Sequence, residues 1–312
     1  MADERNGADR FEPAGGITIG EACLQASSYL EAHGAAEPRA SAEWLLMHAL
    51  GIDRASLLRD WREPVPDDRL GEWAAMVRRR AAGEPVQYIT GEQWFFGLPF
   101  TVTPAVLIPR PETELLVEAV LETADRLWPD DGAGAAPRLH VADIGTGSGA
   151  IAVALAVRRP HWRLFATDLS PDALAVARAN AERHGVAERI TFLAGDLLEP
   201  FAAGGRDARK LDIVVSNPPY IPSSDLAGLQ REVRDYEPRL ALDGGPDGLD
   251  PYRRMAARLR TLPAVPRVVA FEVGFGQARA VAGLLSDAGC WPDLRIIRDY
   301  AGIERHVIAC AR

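Results

Sequence analysis

The chain has 312 residues and carries 35 lysines and arginines against 44 aspartates and glutamates, a formal net charge of −9. At 47% hydrophobic and 25% charged, it can bury real cores, which excludes wholesale disorder and suits an enzyme domain with an appended module. The acidic balance disfavours a general binder of nucleic acid phosphates, and no stretch approaches the ~20 apolar residues of a membrane span.

Residues 1–15 show no periodicity and read as a disordered tail. The polar, acidic start, Met1 to Pro13, lacks the apolar run of a signal peptide. Over 16–85, apolar residues recur every three or four positions, at Ala22, Leu24 and Leu30, at Ala42, Leu45, Leu46 and Leu50, and at Leu70, Trp73 and Val77. Breaks at Gly34, Pro38, Gly51, Pro64 and Pro66 divide them into four or five short helices. Arg78, Arg79 and Arg80 end the last of these and read as favourable charge at a helix C-terminus on a solvated face. Over 86–110, aromatic and β-branched residues surround Gly91 and Gly97, which predicts a β-hairpin linker. Pro111 suits a first helical position, and Glu112 and Glu114 suit a helix N-terminus, so a helix is expected to run to Leu127. A loop follows at 129–137.

Beyond it, strands at 139–144, 162–167, 190–194, 211–216, 267–273, 294–298 and 306–310 alternate with helices at 150–159, 171–184, 251–262 and 277–288. Such alternation predicts a mostly parallel sheet covered by helices on both faces. The last two strands form an expected hairpin that adds one antiparallel strand. Seven strands with that ending, over 111–312, point to the methyltransferase variant of the Rossmann-like α/β fold.

Gly145-Thr146-Gly147-Ser148-Gly149 lies where the first strand turns into a helix, where glycines admit close backbone approach and free N–H groups face a ligand. The spacing is GxGxG rather than the dinucleotide GxGxxG, and Asp143 stands just before it. S-adenosylmethionine (SAM) has a cationic sulfonium and amino group that a carboxylate would favour. Asp168 ends the second strand, where it can accept both hydroxyls of a ribose, in SAM or NAD alike. Asp196 ends the third, where it could take an adenine amine while Leu197 faces the ring. Asp172, by contrast, follows Ser170-Pro171 and reads as part of a helix cap.

Asn217-Pro218-Pro219-Tyr220 follows the apolar strand 211–216. A planar nitrogen, in a carboxamide or an aromatic amine, has a delocalised lone pair. It accepts a methyl group only if acceptors hold its N–H bonds and aim it. The Asn217 oxygen and a proline carbonyl are such acceptors, two prolines stiffen the loop, and Tyr220 can pack over the plane. No strong base is required, so positioning and electrostatics would carry catalysis.

Together these residues resemble the SAM-dependent methyltransferases of planar amino nitrogens. The stretch Leu107-Ile108-Pro109-Arg110-Pro111-Glu112-Thr113-Glu114, the run 237–249 and Arg298-Asp299-Tyr300-Ala301-Gly302 narrow the resemblance to the HemK/PrmC release-factor glutamine N5-methyltransferases. It covers the chain from about Ile17 onward, and Phe271-Glu272-Val273-Gly274 departs from the family pattern only conservatively. The resemblance implies methylation of the glutamine in the Gly-Gly-Gln motif of class I peptide chain release factors. It implies SAM binding by Gly145, Thr146, Gly147, Ser148, Gly149, Asp168 and Leu197, and Asp143, Asp196 and Asn217 join them as candidate cofactor residues. Asn217, Pro218, Pro219 and Tyr220 would hold the substrate glutamine, with Asn217, Pro218 and Tyr220 catalytic and Arg110 and Glu112 bordering the site. The helical domain at 16–85 is expected to recognise the protein substrate.

The alternatives are glutamine methylation of a ribosomal protein, adenine methylation of nucleic acid, a nicotinamide-dependent oxidoreductase and a non-catalytic SAM binder. The negative charge, the glycine spacing and the intact Asn-Pro-Pro-Tyr count against the last three. Cys23, Cys290 and Cys310 form no CxxC pair, and the six histidines show no metal spacing, so no metal and a reducing cytoplasm are expected. A monomer is the default expectation.

Overall fold

Thr18 opens α1 (Ile19–Ala32) with a capping box, its hydroxyl accepting the Glu21 N–H while the Glu21 carboxylate accepts the Thr18 N–H. α2 (Pro38–Leu50) has proline at its first position and ends on Gly51 in the left-handed region. Asp53 caps α3 (Arg54–Arg59), and α4 (Asp67–Ala81) carries two aspartates in its first turn. The apolar stripes read from the sequence meet in one core, with Ala22, Leu30, Leu45, Leu46, Trp73 and Val77 fully buried, except that Leu24 points out of it and is 63% exposed.

The computed structural model describes residues 11–129, 138–202 and 210–311. Most of the expected tail, and the 129–137 loop beyond Pro129, therefore lie outside the described residues. Contacts divide the chain into two units, one running to Gly91 with Gln230–Tyr236 added, the other comprising Glu92–Leu229 and Glu237–Arg312. Among the described residues no helix is long and apolar enough to cross a membrane.

Three expectations for the first unit need correction. The tail does not extend to residue 15, because Phe11 is buried with its ring 5.2 Å from Trp73, and its carbonyl accepts from Arg78. Arg80 is not on a solvated face: it is 3% exposed and ion-paired with Glu232 of α9 (Arg231–Tyr236) at 2.7 Å. Its guanidinium also donates to Ser41 Oγ and to the Ala36 and Glu84 carbonyls, which supplies the partners a buried cation needs. Third, 86–90 is not part of the hairpin. Pro85 leads into a helical turn, α5 (Val86–Thr90), with its carbonyl accepting the Tyr88 and Ile89 N–H groups, and Gly91 ends it at φ +74°.

The hairpin is confined to β1 (Glu92–Phe95) and β2 (Leu98–Thr101). Both residues of its turn, Phe96 and Gly97, have positive φ, the backbone that matches the twist of a two-residue hairpin. The rest of the second unit follows in chain order. α6 (Pro111–Leu127) precedes β3 (His140–Ile144), α7 (Ala150–Arg158), β4 (Arg163–Asp168), α8 (Pro171–Arg183), β5 (Ile190–Ala194) and β6 (Ile213–Ser216). After α9 come α10 (Asp250–Leu259), β7 (Val268–Glu272), α11 (Ala278–Asp287), β8 (Asp293–Arg298) and β9 (Glu304–Cys310). All seven expected strands are present.

The sheet order is β5-β4-β3-β6-β7-β9-β8, parallel except for β9, which runs antiparallel to both neighbours. Neighbouring residues along a strand feed opposite cores. Val141, Ile213 and Val268 pack with α6 and α7 on one face, while Ala142, Val214 and Val269 pack with α10 and α11 on the other. Strands covered on both faces read as continuous apolar runs, which makes them visible in the sequence. The order reverses at β3, and a crevice opens there beyond the carboxyl ends of the strands.

Candidate active site

That crevice is a cleft of about 720 Å³. The glycine loop forms one wall. Gly145, Gly147 and Gly149 all have positive φ, and a Cβ on Gly149 would stand 3.1 Å from the Ala177 backbone, so α8 can approach only a glycine there. Gly145, Thr146, Gly147 and Ser148 line the cleft, with Gly149 behind them as the residue that opens α7.

Asp143 sits behind this loop, fully buried, and does not line the cleft. Its Oδ2 accepts from Thr146 Oγ1 at 2.7 Å and from the Ala152 N–H at 3.1 Å. Its Oδ1 is buried with no hydrogen-bond partner. Burial pushes the carboxyl up to about 7, against the pull of the Thr146 and Ala152 bonds. Asp143 therefore ties the loop to α7, and its unpaired oxygen suits a ligand that brings positive charge to the loop.

Asp168 lines the cleft at the end of β4. Its Oδ2 accepts the Gly147 N–H and its Oδ1 the Ser170 N–H, each at 2.9 Å. Each oxygen keeps a lone pair for a hydroxyl. Burial raises its pKa, while these backbone bonds hold it down. Asp196 also lines the cleft, but it is ion-paired with Arg254 of α10. Leu197 lines the cleft with φ +51°, a strained backbone for a branched side chain, and its carbonyl accepts from Thr167 Oγ1. Ser170 caps α8, with Asp172 in its first turn, in line with the cap read from the sequence.

The Asn-Pro-Pro-Tyr loop forms the opposite wall, but not with all four side chains. Asn217 and Pro219 line the cleft, while Pro218, which is buried, and Tyr220, which is half-buried, do not. The Tyr220 carbonyl accepts from Gln277 Nε2 at 2.9 Å, and a Cβ on Gly274 would meet its ring at 3.0 Å. Burial, reinforced by the charge of Glu272, pushes the Tyr220 hydroxyl up to about 12. It is no base at neutral pH.

Asn217 Nδ2 donates to Thr113 Oγ1 at 3.1 Å, and that hydroxyl donates to Glu272 Oε2 at 2.7 Å. Sequence reasoning singles out neither Thr113 nor Glu272 as a site residue. The available signal is a carboxylate inside the apolar run Val268-Val269-Ala270-Phe271-Glu272-Val273. A buried strand holds such a group only with partners.

Arg110 lines the cleft and pairs with the buried Glu237, which also accepts the Ile108 N–H. Glu112 does not line it; its carbonyl meets His306 Nε2 at 3.0 Å. Burial lowers His306 to about 4, so it is neutral. No His, Cys, Asp and Glu cluster able to hold a metal occurs among the described residues. The glycine loop, the Asp143 oxygen, Asp168 and Leu197 together fit a nucleoside with a cationic tail, and so fit SAM.

The chain matches two family models, PrmC N-terminal domain at residues 21–91 and methyltransferase small domain at residues 113–235. It is 45% identical over 296 residues to a release factor glutamine methyltransferase of Moorella thermoacetica, covering 95% of this chain and 99% of that one. It is 41% identical over 292 residues to the protein of that name from Bacillus subtilis, covering 94% and 97%. The hMettl16 catalytic domain, solved in complex with the MAT2A 3′UTR hairpin 6, shares the fold with a TM-score of 0.51 at 16% identity over 78% of this chain and 82% of that one. At 41–45% identity to these two relatives along almost its whole length, the chain belongs to the release factor glutamine methyltransferase family.

Proposed function

We propose that this chain methylates the side-chain amide nitrogen of the glutamine in the Gly-Gly-Gln motif of class I peptide chain release factors, using SAM. The observation that carries the reading is the Asn217 carboxamide at the cleft, with its nitrogen committed to Thr113 and its oxygen left to accept. SAM, when bound, supplies an electrophilic methyl carbon.

Asp168 would hold the ribose hydroxyls, and the Gly145–Ser148 loop the amino-acid portion, with the Asp143 charge behind it. Asp196 and Leu197 would border the adenine. Asn217 Oδ1 and the Pro218 carbonyl would accept the two N–H bonds of the substrate amide and aim its nitrogen. Tyr220 would brace the loop from behind rather than stack on the substrate. No side chain needs to remove the proton before transfer, because the N-methylated amide loses it readily afterwards. The helical unit would recognise the protein substrate, and the enzyme would act in the cytoplasm as a monomer.

The test is transfer of labelled methyl from SAM to purified release factor, with a glutamine-to-alanine control in Gly-Gly-Gln. Label in the wild-type factor alone supports the reading. No label, with SAM binding confirmed by calorimetry, would overturn the substrate and direct attention to a ribosomal protein or to nucleic acid.

A further inference from the structure

A carboxamide is nearly symmetric in shape, yet its two ends do opposite things: the oxygen accepts and the nitrogen donates. Asn217 can serve a substrate amide only with its oxygen forward, since an N–H aimed at another N–H repels it. Something must therefore fix the orientation of this side chain. The side chains behind it do so. Glu272 is 1% exposed and, when ionised, only accepts. Thr113 Oγ1, 2.7 Å away, spends its single proton on that carboxylate and is left to accept from Asn217 Nδ2 at 3.1 Å. Glu272 is itself held in place, because the Tyr252 hydroxyl donates to its backbone carbonyl at 2.7 Å.

We propose that Thr113 and Glu272 are positioning residues that keep the Asn217 carboxamide oxygen, and not its nitrogen, directed at the substrate amide. This rests on the reading of the substrate as a carboxamide. A neutral carboxyl can donate as well as accept. Protonated Glu272 would let Thr113 turn its proton toward Asn217 and allow the reversed carboxamide. The groups facing Glu272 are Glu112 and Thr113 on α6, Asn217 and Tyr220 on the loop after β6, Tyr252 on α10, and Arg305 and His306 on β9. Burial outweighs the Thr113, Arg305 and Asn217 contributions and brings the carboxyl up to about 7. The direction of the relay then reverses within a working pH range.

Two measurements on the full-length protein decide this. In the first, the Asn217 side-chain amide signals are followed by NMR from pH 5 to 9 in selectively labelled protein, assigned with Asn217→Ala. An inflection near pH 7 is expected in the wild type, a smaller one in Thr113→Val, where only the direct Asn217–Glu272 contact remains, and none in Glu272→Gln. In the second, kcat for methyl transfer is measured over the same range. Thr113→Val should lose about tenfold in kcat, the effect of one ordering hydrogen bond, and should lose the acid limb. Thr113→Ser should return within about threefold of wild type with the limb restored. SAM affinity by calorimetry should stay level in all three, which separates positioning from misfolding. An Asn217 titration that is the same in wild type and Thr113→Val, or an acid limb that survives both substitutions, would overturn the proposal. Wild-type protein that transfers no methyl to release factor would sink the functional reading instead, and the NMR titration would still decide the orientation.

Discussion

Asn180 and Thr101 exchange a closed pair of hydrogen bonds, the Thr101 N–H donating to Asn180 Oδ1 at 2.8 Å and Asn180 Nδ2 donating to the Thr101 carbonyl at 2.9 Å. The second Nδ2 hydrogen goes to the Ser148 carbonyl, also at 2.9 Å, so one wholly buried side chain on α8 fastens the hairpin and the glycine loop. Asn180→Leu fills the same space and strands three backbone groups. The expected loss is about 2–4 kcal/mol of unfolding free energy, for buried polar groups left without partners. Because Ser148 belongs to the loop, SAM affinity should fall with it. Urea denaturation and calorimetry check both, and wild-type stability in the Asn180→Leu variant would show that water replaces the tie without cost.

Asn217 and Asp168 face the same cleft with different expected tasks, and alanine substitutions should separate them. Asn217→Ala should keep SAM binding nearly intact while removing most turnover. Asp168→Ala should weaken SAM binding, both by losing the ribose acceptor and by freeing the Gly147 and Ser170 N–H groups it now holds. An unchanged SAM dissociation constant in Asp168→Ala would remove the ribose assignment. A parallel loss of SAM affinity in Asn217→Ala would make that residue part of the cofactor site.

Gly248 sets the position of the Asn-Pro-Pro-Tyr loop by leaving room for it. At φ +75°, a Cβ there would stand 2.2 Å from the Tyr220 carbonyl oxygen, which no rotamer can relieve. Gly289, after α11, has φ +72° and open space around its would-be Cβ. Alanine at either position carries the left-handed backbone cost of about 1 kcal/mol. Only Gly248→Ala should also displace Tyr220 and cut kcat sharply. Equal activity in the two variants would mean that the loop can shift without consequence.

The central strands β6 and β7 are legible in the sequence because both their faces are buried, which writes them as near-continuous apolar runs. The partly exposed edge strands of the sheet, β5 and β8, are legible from their place in the strand–helix alternation. Glycine loop, Asp168 and Asn217 are legible because chain order alone places them at the carboxyl edge of that sheet. What lies behind the edge is not. Asp143 looks like a ligand residue in the sequence, yet it is buried behind the loop it precedes. Tyr220 belongs to the motif but does not line the cleft. Arg80 reads as the end of a basic run, and its partner, Glu232, is 152 positions away. Thr113 and Glu272 meet across 159 positions, joining a helix start to a strand end. Pairings at such separations follow from how elements pack, and no local pattern encodes them.

Asp143 should make stability and cofactor affinity respond to pH in opposite senses. Its carboxyl is raised from the ordinary 3.8 to about 7 by burial, so the folded protein holds a proton there that the unfolded chain releases. The stabilisation this gives is full below pH 3.8 and lost as pH rises through about 7, a difference of about 4 kcal/mol. Asp143→Asn keeps an oxygen for Thr146 and Ala152 and has no charge to desolvate, so much of the slope of stability between pH 4 and 7 should vanish. Glu272, also raised to about 7, leaves a residual slope in both proteins. A cationic ligand at the glycine loop favours the ionised form. SAM should therefore bind the wild type more tightly as pH rises through about 7, and Asp143→Asn with little pH dependence. Chemical denaturation and calorimetry at matched pH values measure the two trends. Identical slopes in wild type and Asp143→Asn would show that this carboxyl stays ionised in the folded protein and has no part in attracting the cation.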